Sequence, residues 1–223
     1  IEGTYNILEA SKNLSLNQIL ITSTSETYGS AQEIPINENH PLVGQSPYSA
    51  SKIAADQLST SYYKSFDMPI KIVRPFNTYG PRQSARAIIP TIITQILSGK
   101  KEISLGNLNP TRDLTFVKDT CLGFYEIYKS DRLFGEVVNI GMNSEISIGE
   151  LVDLISNILN KKININSTQE RLRPESSEVD RLNCDNSKLL KYTSWKPKFN
   201  LEKGLKMVID WLQNPDNLSM YKF

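Results

Sequence analysis

Short β-branched runs alternate with stretches of helical periodicity along most of this chain, and that alternation restricts its fold more than any other feature. Gln18–Thr22 (QILIT) is an apolar run that reads as a buried strand. Residues 47–66 read as a helix: Pro47 suits a first-turn position, Ile53, Leu58, Tyr62 and Phe66 recur at helical spacing, and Asp67 and Pro69 end it. Residues 69–73 read as the next strand, 75–81 as a turn-rich loop and 88–97 as a helix closed by Gly99. Strands at 103–105 and 113–117, a helix at 119–128 and a strand at 136–140 follow. Ser147, with Glu150 three residues on, caps a helix whose Ile148, Leu151, Val152, Ile155, Ile158 and Leu159 form an apolar stripe. Residues 160–187 read as loop with one strand at 163–166, and a last helix spans 201–212. Strands alternating with helices predict an α/β fold on a parallel sheet, with a more irregular C-terminal part.

The 223 residues suffice for one large domain or two small ones. Hydrophobic content of 39% and charged content of 22% are ordinary for a soluble chain with a real core. The net charge of +1 gives no electrostatic reason to expect nucleic acid or an anionic membrane as partner. No apolar run approaches the roughly 20 residues that a bilayer requires, since the richest, Ala87–Leu97, is broken by Pro90 and Gln95. Cys121 and Cys184 match no metal or redox spacing, which fits a reduced cytosolic compartment. Cys121 reads as buried helix packing, Cys184 as a strand or loop residue, and Trp195 and Trp211 as C-terminal core. His40 is the only histidine, which excludes a metal site built on several imidazoles; it reads as an exposed loop residue. The chain opens on Ile1 with no secretory leader pattern, and an N-terminal segment is expected to be missing.

The sharpest chemical signal is Tyr48-Ser49-Ala50-Ser51-Lys52. On a helix Tyr48 and Lys52 share a face, and an ammonium beside a phenol favours the phenolate. Such a tyrosine accepts the proton of an alcohol while hydride leaves the same carbon. An amphipathic helix with Tyr inward and Lys outward is the competing reading. At the end of the first strand, Thr22–Gly29 (TSTSETYG) presents hydroxyls and the Glu26 carboxylate, suited to a polyol and equally to turn chemistry. Both motifs are placed at one crevice beyond the carboxyl ends of strands, where doubly wound sheets bind ligands. Lys118-Asp119 reads as a helix cap.

The ordered set TSTSETYG, YSASK, RPFNTYGPRQ (74–83), TRDLTFVKD (111–119) and VVNIG (137–141) resembles the extended short-chain dehydrogenase/reductases that act on nucleotide sugars. Gly3-Thr4-x-Asn6-x-x-Glu9-Ala10 is similar to the helix preceding the catalytic strand in that family. Thr24-Ser25-Glu26 resembles the 4,6-dehydratase signature, with Ser25 as in GDP-mannose-type enzymes where the dTDP-glucose type has Asp. The central block is most similar to dehydratases of nucleotide-activated N-acetylglucosamine in legionaminic-type pathways.

The resemblance implies a Rossmann-like doubly wound parallel sheet plus a smaller mixed α/β substrate domain. Residues 1–80 and 115–142 would form part of the NAD-binding domain, and 81–114 and 143–223 the nucleotide-sugar domain. It implies NAD as cofactor and a nucleotide-activated hexose as substrate, converted to the 4-keto-6-deoxy sugar. Tyr48, Lys52, Thr24, Ser25 and Glu26 would be catalytic; Ser23, Tyr48, Lys52, Pro75 and Phe76 would bind cofactor; Asn77, Arg112, Arg173 and Arg181 would bind substrate. The bidentate guanidinium suits a diphosphate, though each arginine also reads as a solvated surface charge and Asn77 as a turn residue. A homodimer through the helix at 47–66 is implied as well. No G-x-x-G-x-x-G loop occurs in these residues, so the first half of the cofactor domain is expected ahead of Ile1. If these residues were the whole molecule, weak or no NAD binding and no turnover would be expected. A 4-epimerase or decarboxylase of the same family, and a non-catalytic fragment that binds only sugar nucleotide, are the alternatives.

Overall fold

The computed structural model describes residues 1–167 and 179–221. Helix α1 (Glu2–Lys12) leads into strand β1 (Ile19–Thr22), a single 3-10 turn (Ser25–Tyr28) and helix α2 (Pro47–Phe66). Then come β2 (Ile70–Pro75), β3 (Asn77–Tyr79), α3 (Ile88–Leu97), β4 (Glu102–Leu105), β5 (Thr111–Arg112) and β6 (Leu114–Phe116). These are followed by α4 (Val117–Lys129), β7 (Val137–Ile140), β8 (Ile146–Ser147), α5 (Ile148–Leu159) and β9 (Asn164–Ser167). The chain closes with β10 (Arg181–Leu182), α6 (Ser187–Tyr192), α7 (Leu201–Gln213) and α8 (Pro215–Ser219).

Strands β1, β2 and β7 form a parallel sheet with β2 in the middle, Ile19 opposite Ile70 and Val73 opposite Val138. Helices cover both faces, so β2 is buried on both sides. Ile70 and Ile72 pack with Leu8 of α1 and Tyr62 of α2. Val73 faces the other way, against Ile127 of α4, Leu189 of α6 and Trp195. This is the expected α/β architecture.

Two buried cations interrupt the apolar middle strand. Lys71 has 0% exposure, and its ammonium donates to the carbonyls of Ile127 (2.9 Å), Tyr128 (3.2 Å) and Ser130 (2.6 Å) and to Gln18 Oε1 (2.9 Å). It thus satisfies carbonyls that the end of α4 leaves open. Arg74 points to the opposite face and meets Asp56 of α2.

The helix-start signals read from sequence, Pro47 for α2 and Ser147 with Glu150 for α5, are present, and a further box was not anticipated. Ser46 and Ser49 form a reciprocal box at the start of α2, Pro47 occupies its first turn, and Ser147 and Glu150 do the same for α5. A second core joins Ile92, Ile93 and Ile96 of α3 to Leu151 and Ile155 of α5 and Leu205 and Leu212 of α7. Beside it β3 pairs parallel with β6, β4 with β9, and β5 lies between β10 and β8.

Several sequence expectations are corrected. Residues 77–79 form a strand, not loop, because three residues suffice to pair with 114–116. Helices α6 and α8 were not anticipated. His40 is buried: Nε2 accepts from the Gln32 amide (2.9 Å), Nδ1 lies 2.9 Å from the Pro41 carbonyl, and the ring stands edge-on to Tyr28. Cys121 is exposed on α4, while Cys184 is buried. Asp119 does not cap its own helix; its carboxylate accepts the amides of Lys198 (2.9 Å) and Phe199 (3.0 Å), tying 198–199 to α4. Trp195 is core, its indole N–H donating to the Asp119 carbonyl, and Trp211 packs at the edge of the second core.

Candidate active site

At the carboxyl end of β1 the chain leaves the sheet and tightens into the 3-10 turn. Thr24 is its cap: the Oγ1 accepts from the Glu26 amide at 3.2 Å, while the Thr27 hydroxyl donates to the Thr24 carbonyl at 2.8 Å. Thr24 therefore does turn work while keeping its own hydroxyl hydrogen uncommitted. Gly29 ends the turn at φ +66°, and a Cβ there would lie 2.6 Å from Gln45 Oε1, so only glycine lets the 43–45 segment lie so close.

The ends of β1 and β2 and the start of α2 enclose a cavity of about 250 Å³. Ser23, Thr24, Ser25, Glu26, Tyr48, Pro75, Phe76, Asn77 and Thr78 form its wall. Eight of these are residues singled out from the sequence; Thr78 is new, and its hydroxyl lies 3.0 Å from that of Thr120. Tyr48 stands at the mouth, 55% exposed. Lys52 is one turn deeper on the same face of α2, outside the wall, with its ammonium donating to the Thr22 carbonyl at 2.7 Å.

A second cavity of about 910 Å³ adjoins the first, sharing Glu26, Asn77 and Thr78. Its size lies at the upper end of ordinary small-molecule sites. Arg86, Lys100 and Arg112 supply cationic side chains to its lining, and Gln83, Gln95 and Asn107 supply amides. Asn77 Oδ1 and Gln83 Oε1 are buried without a hydrogen-bond partner among the described residues. Arg181 does not line this cavity: its guanidinium is paired with Glu145, which also accepts from Thr111. That pairing holds the Glu145 carboxyl below the usual carboxylate range. Arg173 lies outside the described residues.

A polar network that sequence reasoning missed lies beneath the small cavity. Asp56 Oδ2 accepts from Ser23 Oγ (2.8 Å) and from Arg74 through Nε and Nη2 (2.9 Å each). Arg74 lies over the Tyr28 ring, and the Tyr28 hydroxyl donates to Asn139 Oδ1 at 2.7 Å. Burial pushes the Tyr28 phenol up to about 12, with the nearby Arg74 opposing. The signal in the sequence was the spacing of Tyr48, Lys52 and Asp56, each four residues apart on α2. No three His, Cys, Asp or Glu residues are grouped so as to hold a metal among the described residues.

The family model described as GDP-mannose 4,6 dehydratase matches residues 1–208. The chain belongs to this family of nucleotide-sugar dehydratases and epimerases. This family member is similar to a putative UDP-glucose 4-epimerase of Methanocaldococcus jannaschii, 30% identical over 220 residues, covering 95% of this chain and 68% of the relative. It is 37% identical to a dTDP-D-glucose 4,6-dehydratase of Dictyostelium discoideum over 169 residues, 71% of this chain and 39% of that one. Among solved structures, dTDP-glucose 4,6-dehydratase from Bacillus anthracis in complex with NAD superposes with a TM-score of 0.88 at 32% identity, covering 97% of this chain and 68% of that one. UDP-glucuronic acid 4-epimerase from Bacillus cereus, in complex with UDP-glucuronic acid and NAD, also gives 0.88 at 29% identity, with 96% and 67% covered. The family member thus spans about two thirds of most of these relatives.

Proposed function

We propose that this chain carries the catalytic and substrate-binding residues of an NAD-dependent nucleotide-sugar 4,6-dehydratase. The observation that carries the reading is that Tyr48, Thr24 and Glu26 line one cavity, which opens at Glu26 and Asn77 onto a larger one with cationic walls. A phenol and a carboxylate at one small cavity can remove a hydroxyl proton at one carbon of a hexose and a C–H proton at the next.

The residues present fit the nicotinamide end of NAD. Pro75 and Phe76 give an apolar wall, Ser23 a nearly buried hydroxyl, and Asn77 a buried amide oxygen without a partner. NAD, when bound, supplies the acceptor for hydride from C4 and its donor to C6. Tyr48 Oη takes the C4 hydroxyl proton, with Thr24 hydrogen-bonding the same oxygen and Lys52 supplying a positive charge to the site from one turn below. The resulting ketone acidifies C5–H. Glu26 takes that proton as the C6 hydroxyl departs, so that the elements of water are lost across C5–C6. Ser25 is too weak an acid to protonate the leaving group, so the proton that Glu26 takes from C5 is passed to the C6 oxygen, which departs as water. Arg112 and Asn77 are placed on the diphosphate, with Arg181, engaged by Glu145, the weaker candidate.

Relatives of both reaction types match this chain, so 4-epimerisation is the second reading, with Glu26 as incidental wall. The test uses protein translated from the complete reading frame, with NAD and a panel of UDP-, GDP- and dTDP-hexoses, the product read by NMR. A 4-keto-6-deoxy product is expected, and Glu26→Gln should oxidise C4 yet stop before water loss. A C4 epimer with its C6 hydroxyl retained would replace this reading with the second. Full deoxy product from Glu26→Gln at wild-type rate would remove Glu26 from the mechanism. The family resemblance also supports a homodimer through α2.

A further inference from the structure

The buried Asp56–Arg74 pair does not belong to the cavity wall, yet it is bonded to a residue that does. Ser23 is 4% exposed. Its amide donates to the Val73 carbonyl at 2.7 Å, extending the β1–β2 ladder by one residue, and its hydroxyl donates to Asp56 Oδ2. A serine hydroxyl has one hydrogen and two lone pairs. With the hydrogen given to a carboxylate that can only accept, Ser23 Oγ is left with lone pairs alone for anything in the cavity.

Arg74 makes this assignment firm. Both of its bonds fall on the oxygen that Ser23 uses, while Asp56 Oδ1 is buried with no partner among the described residues. A fork that spanned both oxygens would pair the two groups more fully; the one-oxygen geometry concentrates the donors at the point beneath the cavity. Arg74 also immediately precedes Pro75, with Phe76 next, so the pair fixes β1 and β2 together where both enter the wall.

We propose that Asp56 and Arg74 are positioning residues that set the hydrogen-bond polarity of Ser23, making its oxygen an obligate acceptor for an N–H or O–H donor of the bound ligand. That donor belongs either to the cofactor or to the sugar. The inference rests on the reading of the cavity as a dinucleotide and nucleotide-sugar site.

The experiment is a double-mutant cycle on full-length protein with Ser23→Ala and Asp56→Asn. NAD affinity is measured by calorimetry, and KM and kcat by turnover of the nucleotide sugar. Each single change is expected to weaken binding of one ligand about tenfold, the loss of one net hydrogen bond. The double variant is expected to be no worse than the poorer single one, because both remove the same acceptor. An effect confined to the Kd of NAD assigns the donor to the cofactor, and one confined to KM assigns it to the sugar. Losses that multiply, or a Ser23→Ala variant that binds both ligands as wild type does, would overturn the proposal, since a merely structural pair would lower the melting temperature without coupling to Ser23. If Asp56→Asn does not fold because Arg74 is left unpaired, the combined change Asp56→Asn with Arg74→Met, which removes both charges together, takes the place of Asp56→Asn in the cycle. Wild-type protein that binds NAD without converting any nucleotide sugar would defeat the dehydratase reading, while the cycle in Kd still decides this one. Protein that binds neither ligand would defeat both.

Discussion

Replacing Lys71 by methionine isolates the part of the fold that holds the middle strand. Lys71→Met keeps the length and apolar bulk of the stem and removes only the ammonium, which also sits 4.4 Å from the centre of the Phe134 ring. The Ile127 carbonyl retains the Ser130 amide at 3.3 Å, whereas among the described residues no other partner takes up the carbonyls of Tyr128 and Ser130. Leaving a buried carbonyl unsatisfied costs about 1–3 kcal/mol. Two such groups, partly rehydrated at the helix end, give a loss of about 3 kcal/mol. For a chain of this size each kcal/mol moves the melting temperature by roughly 2–4 °C, so a fall of about 6–12 °C is expected. The assay is urea unfolding backed by calorimetry, with Lys188→Met as the comparison. Lys188 also donates to a strand carbonyl, that of Val137, but is partly exposed, and its loss should cost under about 1 kcal/mol. Buried charges are sometimes replaced by hydrophobes at no cost. Stability of Lys71→Met within about 0.5 kcal/mol of wild type would show that the ammonium is tolerated rather than needed.

Tyr48→Phe should lower kcat by roughly 100- to 10,000-fold, the usual worth of a positioned acid–base group, while the melting temperature stays put because the side chain is mostly exposed. An unfolding shift matching the kinetic loss would count against it. Asp113 is buried, and although it accepts amides from Met142 and Cys184 its carboxyl is pushed up to about 6 by desolvation, from an ordinary 3.8. Between those values the folded state keeps a proton that the unfolded chain has released, so this group's contribution to stability falls as pH rises through the window, by up to about 3 kcal/mol. The stability gap between wild type and Asp113→Asn should therefore shrink between pH 4 and 6.5 in urea titrations; a constant or widening gap refutes it. Glu26→Gln, described above, completes the set through its arrested product.

What could be read from the sequence was whatever is local. The box at Ser147 and Glu150, the proline at the start of α2 and the apolar period of α5 each involve residues within a few positions of one another. The wall of the small cavity was legible because its motifs sit at strand and helix ends, where direction is set by the fold class. The losses came from long-range pairing. Nothing near Lys71 or Arg74 says that α4 and α2 will receive them, 56 and 18 residues away. His40 looked exposed because its partners, Tyr28 and the Gln32 amide, face it only once the 29–45 excursion folds back. Strand β3 was hidden by its brevity and by turn-forming neighbours, and Cys121 by an outward position on an otherwise half-buried helix.

The two cations in β2 have one more consequence. Ile70 and Ile72 on one side and Val73 on the other make the rest of this strand apolar on both faces, so an alternating pattern gives it little means of telling one alignment from the next. Sliding it by a single residue would turn the ammonium toward the helix carrying Asp56 and the guanidinium toward the end of α4, stripping both of partners at several kcal/mol apiece. Charge, rather than oiliness, works here as an index pin, and the cavity-lining segment that follows, Phe76 to Thr78, inherits its alignment from that pin.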